Sequence, residues 1–241
     1  MDMLIVLTND DGFDAPGLLA LAEALSGLAS VRVVAPAEAQ SGVGHRVTTR
    51  DPIRVRTGYD GRTIVHGTPA DCVRISAKRL HPDADWVVAG INPGANLGSD
   101  VYQSGTVAAA REAAILGFPA MAVSQYIAKD AAIDWSETGA MVRRVVRRLL
   151  ALPLSRGFFW NVNLPSPLSA GTPAEPVFCG LDTFPHRYDY RRQGDAYVYE
   201  GVIHERPQEP GKDVAVCFGG RISATRIALA TLGFPDRSER S

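Results

Sequence analysis

The sequence predicts an α/β fold: a doubly wound, mostly parallel sheet followed by a β-rich C-terminal extension. Two observations carry that expectation. Through residue 165, short unbroken apolar runs, of the kind that fill strands buried on both faces, alternate with stretches of helical periodicity. Beyond Ser166 the texture changes, with Pro and Gly crowding Pro165 to Pro176 and only short apolar runs afterwards. The expected division is therefore a catalytic core over 1–165 and an extension over 166–241.

The elements follow in order. Met3 to Thr8 (MLIVLT) reads as a buried strand that stops at NDDG. Pro16 suits the first turn of a helix carrying Leu18, Leu21, Ala22 and Leu25 on one face. Val31 to Ala35 (VRVVA) closes a βαβ unit whose crossover should be right-handed. Ile53 to Val55 and Thr63 to Val65 flank an Asp60-Gly61 turn, a hairpin pattern. Pro69 to Leu80 is expected to be helical behind Thr68 as N-cap. Trp86 to Ala89 is a strand, Thr106 to Leu116 an Ala-rich helix, and Pro119 to Ser124 another strand. Trp135 to Leu150 is amphipathic, with Arg143, Arg144, Arg147 and Arg148 on its solvated face, and Phe158 to Val162 is a strand. Short strands are expected around Ala196 to Ile203, Val214 to Cys217 and Ile222 to Leu229.

Composition narrows the function classes. The 241 residues are 46% hydrophobic and 21% charged, with a net charge of -1, so nothing favours binding to a nucleic-acid polymer. Cys72, Cys179 and Cys217 lack metal-ligand or disulfide spacing and read as buried free thiols. A strand that starts almost at Met1 leaves no room for a signal peptide, and no apolar run is long enough to span a bilayer. A cytoplasmic protein without a membrane partner is expected.

Chemistry-bearing residues gather in three loops that follow predicted strands, where open parallel sheets bind ligands. In the first, Asp10 and Asp11 are adjacent carboxylates. At about 4 Å and an effective dielectric near 20, their repulsion is on the order of 4 kcal/mol, which a divalent cation would reverse. This loop alone does not decide between such a site and Asp11 capping the next helix while Asp10 faces solvent. In the second loop, PAEAQSGVGHR, Ser41 offers a neutral oxygen and Gly42 a backbone N–H for an anion. Glycine and polar residues also make ordinary surface loops. The third, GINPGANLGSDVYQSGT, supplies Asn92 and Asn96, and opens a helix at Ser104-Gly105-Thr106. That helix start would hold a phosphate, or Ser104 or Thr106 would simply cap it. Convergence of the three loops favours a site.

Competing motifs are missing. No Gly-x-Gly-x-x-Gly follows the first strand, and the chain has neither a P-loop nor a Gly-x-Ser-x-Gly elbow. His66, His81, His186 and His204 lack ligand spacing, whereas His45 lies in the second loop.

LTNDDGFDAPGLLALAEAL, VVAPAEAQSGVGH, HGTPADCV, VVAGINPGANLGSDVYQSGTVAAAREAAILGFPAMAVS and NVNLP, in this order, resemble the SurE family of survival-protein nucleotidases. The resemblance covers most of Met1 to Pro165. It implies a Rossmann-like core, metal-dependent 5′/3′-nucleotidase activity, some action on polyphosphate, and homodimers or homotetramers that exchange C-terminal β elements. It also implies a cation, magnesium or manganese, held by Asp10, Asp11, Ser41 and Asn92. His45, and Gln103 before the SGT run, depart from the commoner family pattern.

The expected reaction is metal-assisted hydrolysis of nucleoside monophosphates. Asp10 or Asp11 would orient water, and His45 would protonate the leaving oxygen. Gly42, Asn96, Ser104, Gly105 and Thr106 would hold the phosphate. The alternatives are a nucleotide- or phosphate-binding module without turnover, and a metal-dependent nucleoside hydrolase.

Overall fold

The apolar runs become strands of one sheet, and their alternation makes two cores. A computed structural model describes residues 3–129, 131–168 and 171–229 of the chain. In β1 (Leu4–Thr8), Ile5 and Leu7 enter one core while Val6 enters the other. A strand buried on both faces needs apolar side chains at every position, which is why no polar alternation marks it.

The elements then run as follows: α1 (Pro16–Leu25), β2 (Ser30–Pro36), β3 (Val55–Thr57), β4 (Thr63–Val65), α2 (Pro69–Ile75), β5 (Trp86–Pro93), α3 (Gly105–Ile115), β6 (Ala120–Gln125), α4 (Trp135–Leu150) and β7 (Phe158–Leu164). After them come β8 (Val177–Phe178), β9 (Tyr190–Gln193), β10 (Ala196–Tyr199), α5 (Asp213–Phe218) and β11 (Ser223–Ala228). The main sheet has the order β3-β4-β2-β1-β5-β6-β7-β11-β8. Strands β4, β2, β1, β5, β6 and β7 are mutually parallel; β3 and β11 enter antiparallel. Helices α1 and α4 pack together over one face, and α2 and α3 over the other. This is the doubly wound α/β arrangement that the sequence predicts.

Helix starts follow their capping chemistry. Thr68 and Asp71 form a reciprocal capping box on α2, and Asp134 accepts from the amides of Ser136 and Glu137 at the start of α4. The helix predicted through Leu80 leaves α geometry after Ile75 and continues as a wider π turn over Ser76–Leu80. Of the predicted arginine face on α4, Arg144, Arg147 and Arg148 are exposed, but Arg143 folds back to the Ala24 and Ser26 carbonyls and ties α4 to α1.

The C-terminal part requires corrections. Val214 to Cys217 is not a strand; it lies within α5. Its four apolar residues suit either state, and Asp213 decides the outcome by accepting from the amides of Gly98, Asp182 and Val214. The predicted strand over Ala196 to Ile203 stops at Tyr199, and Ile203–Glu205 is a 3-10 turn. The first arm of the early hairpin lies at Val55–Thr57, two residues later than expected.

Gly17, in the first turn of α1, sets how closely that helix approaches β5. A β-carbon there would fall inside the contact radius of the Ile91 carbonyl oxygen. Gly17→Ala is expected to destabilise the protein by about 1–3 kcal/mol through overpacking. Thermal unfolding reads this as a melting temperature several degrees lower; an unchanged value would mean that α1 steps back freely.

Candidate active site

The three predicted loops meet because β1, β2 and β5 are parallel and their C-terminal ends share one edge. The chain winds outward from β1 through β2 and β4, then crosses to β5 on the other side. The gap between β1 and β5 is therefore the topological switch point, where such sheets bind ligands. A cleft of about 270 Å³ opens there, with Asp10 and Asp11 from the first loop, Ser41 and Gly42 from the second, and Asn92 and Asn96 from the third. Asp100, Gln103 and Ser104 complete its wall.

Neither aspartate caps α1. The cap position is Ala15, which makes no side-chain bond, and Asp10 is only 5% exposed. The Thr106 hydroxyl donates to Asp10 Oδ1, and the Gly105 and Thr106 amides also favour the charged carboxylate. Burial still outweighs these contacts and pushes the Asp10 pKa up. Asp11 is pushed up to about 6, by burial first and by the Asp10 charge second. Its Oδ2 is buried without a hydrogen-bond partner. A buried carboxylate beside a half-buried one with an orphaned oxygen is costly for the protein alone and suits a hard cation.

Neutral oxygens stand beside them. A bulge between Ala89 and Asn92, with Gly90 at a φ of +137°, breaks the β5 register just before Asn92. Asn92 donates from Nδ2 to the Gly94 carbonyl (2.6 Å), which leaves Oδ1 as its free end. The Ser41 loop is held by the Gln40 amide on the Asp10 carbonyl (2.6 Å) and the Gly44 amide on the Gln103 carbonyl (3.0 Å). Among the described residues, no group of three or more His, Cys, Asp or Glu side chains is arranged to hold a metal. The donor set here is two carboxylates with serine and asparagine oxygens, which fits magnesium or manganese better than zinc.

Three expected phosphate or proton-transfer residues, Gly105, Thr106 and His45, are placed differently. Gly105 and Thr106 do not line the cleft; the start of α3 holds the Asp10 carboxylate. The helix N-terminus stabilises an anion there as expected, but the anion belongs to the protein. Asn96 reaches the cleft with one Nδ2 hydrogen given to Ser124 Oγ (2.8 Å), which leaves the second as its remaining donor. Its backbone is fixed by Asn161 and Asn163. His45 lies off the cleft, with Nε2 on Glu112 Oε2 at 2.7 Å, because a buried carboxylate attracts it. Ser104 caps α3, through the Val107 amide, and also lines the cleft.

Sequence reasoning passed over Asn161, Asn163 and Glu112. The asparagines had a signal: two amides at alternate positions in an otherwise apolar strand, both fully buried. Buried amides require partners, so they mark a built network.

The raised Asp11 pKa has a definite sign. Without a cation, the folded state holds a proton between pH 3.8 and about 6 that the unfolded chain has released. That contribution is present below pH 3.8 and is lost as pH rises through about 6. Magnesium or manganese should therefore raise the melting temperature clearly at pH 7.5 and little at pH 4.5. Equal shifts at both pH values would contradict the reading.

A profile of the family described as Survival protein SurE matches residues 5–177. The chain is 41% identical over 234 residues to 5′-nucleotidase SurE of Paramagnetospirillum magneticum, spanning 93% of this chain and 89% of that one. It is 46% identical over 176 residues to 5′-nucleotidase SurE of Pelobacter propionicus, spanning 73% and 69%. The crystal structure of the SurE protein from Aquifex aeolicus superimposes with a TM-score of 0.82 at 32% identity, over 95% of each chain.

Proposed function

The chain belongs to the SurE family, and from that premise we propose that it removes phosphate from nucleoside 5′- or 3′-monophosphates with a divalent cation. The observation that carries this reading is the Asp10-Asp11 pair, the first buried and the second half-buried with an orphaned Oδ2, in a cleft that Ser41 and Asn92 also line.

Asp10, Asp11, Ser41 and Asn92 would hold the cation. Once bound, it would supply charge to a phosphoryl oxygen and lower the pKa of a nearby water. The residues do the rest. Thr106 fixes Asp10 in place, and Asp11 retains a free carboxylate oxygen to orient the attacking water. The Gly42 amide, the Ser104 hydroxyl, the Gln103 side chain and the second Nδ2 hydrogen of Asn96 are donors available to the remaining phosphate oxygens. Among the described residues no histidine lines the cleft, and we assign the proton of the leaving oxygen to water.

We place the protein in the cytoplasm as a homodimer or homotetramer. Cys72, Cys179 and Cys217 are free, as suits a reducing compartment, and no helix among the described residues is long and apolar enough to cross a membrane. β9 and β10 form a separate two-stranded sheet with Tyr190, Tyr197 and Tyr199 exposed. A lone hairpin is marginal in water, which supports a role for the extension in assembly.

The test incubates the purified protein with nucleoside monophosphates, with and without manganese, and assays phosphate and free base. Cation-dependent phosphate release is the expected result. Free base would instead identify a nucleoside hydrolase, and thermal stabilisation without any release would identify a binding module.

A further inference from the structure

Helix α3 carries an acidic residue that the reaction above does not use. Glu112 lies among Ala108, Ala109, Ala110, Ala113 and Ala114, all buried, and is itself only 1% exposed. Its two oxygens are both taken, Oε2 by His45 Nε2 at 2.7 Å and Oε1 by Arg74 Nε at 2.6 Å. Arg111 approaches the other His45 nitrogen at 3.4 Å and is itself anchored on the Val101 carbonyl. A carboxylate in so apolar a setting persists only with partners on both oxygens. One of those partners belongs to the Ser41 loop.

That loop has no regular structure between Ala37 and Arg46. Upstream of Ser41 it is pinned by Gln40 to the Asp10 carbonyl, and downstream by His45 to Glu112. Six residues before Glu112, about 9 Å along the helix axis, Thr106 seats Asp10. One rigid helix thus fixes both the aspartate and the far end of the serine loop.

We propose that His45 and Glu112 form a positioning clamp that sets Ser41 and Gly42 against Asp10 and Asp11. This inference rests on the cation-dependent reading of the site. His45 acts by holding the loop and does not exchange a proton with substrate.

The test compares His45→Ala, His45→Gln and Glu112→Gln with the native protein, by calorimetric manganese binding and by pH-rate profiles. Gln places an amide N–H where the imidazole Nε2 lies, but it cannot titrate. His45→Ala and Glu112→Gln should weaken manganese binding roughly tenfold, the scale seen when groups that hold metal ligands are removed, with kcat at saturating manganese nearly native. His45→Gln should restore binding to about the native level and leave the pH profile unchanged. Native manganese affinity in folded His45→Ala would overturn the clamp, leaving the pair a stability element. His45→Gln that binds manganese normally but loses kcat and a limb of the pH profile would also overturn it, in favour of proton transfer. A native protein that binds no manganese would overturn the metal reading of the site together with the clamp.

Discussion

Asp10→Asn is expected to reduce phosphate release on the order of a thousandfold, because it removes charge from the one position that Thr106, Gly105 and the Gln40 loop all converge on. The substitution keeps the size and the acceptor for the Thr106 hydroxyl, so the local structure should survive. Stability should move the other way. In chelator the native protein carries two adjacent carboxylates, one buried and one half-buried, and the Asp10 charge helps push Asp11 up to about 6. Removing one of them relieves that repulsion, so the variant should melt no lower than the native protein in chelator. It should then gain nothing from manganese, which raises the native melting temperature by mass action. An inactive variant with an unimpaired fold and no cation response is the signature of a ligand. Near-native release at full manganese occupancy would remove Asp10 from the site.

Much of this site was legible because it lies at strand ends. A buried parallel strand has to stop at polar residues, and NDDG stops β1 just where a doubly wound sheet opens a ligand crevice. Order and spacing placed the Ser41 and Asn92 loops at the same edge. The bounds of α4 were legible as well, since its apolar face and the Asp134 cap are both local.

What escaped was decided at long range. Thr106 seats Asp10 across 96 residues, and that contact converts an apparent phosphate cradle into a carboxylate cradle. Glu112 reads as an ordinary helix charge until Arg74 of α2 and His45 of the loop close on it. The VAVC run becomes helical because Asp213 finds the amides of Gly98 and Asp182, far away in sequence. In each case a polar side chain chose a partner that no local window contains.

Gly105→Ala tests the carboxylate cradle from the other side. Local physics favours the substitution, since alanine is a better helix former than glycine by about 1 kcal/mol and Gly105 begins α3 without a positive φ. If only the helix mattered, the variant would be as stable or more so, and fully active. The added β-carbon, however, would lie 2.7 Å from Asp10 Cβ and 2.8 Å from Asp10 Oδ2, closer than such atoms tolerate. The nearest clash is with Asp10 Cβ, which the backbone fixes, so the end of β1 and the start of α3 must part slightly, and the Asp10 carboxylate moves with them. Displacing a ligand by a fraction of an ångström to 1 Å is expected to cost about a hundredfold in kcat/KM and to weaken manganese binding in parallel. The melting temperature in chelator should fall by only a few degrees, the overpacking cost of about 1–3 kcal/mol. Lost activity and lost cation affinity in a variant that still folds would show that glycine is needed here for the aspartate and not for the helix. An active Gly105→Ala enzyme with native manganese affinity would show that Asp10 can shift without consequence, and the seat that Thr106 and the α3 N-terminus provide would then carry no catalytic weight.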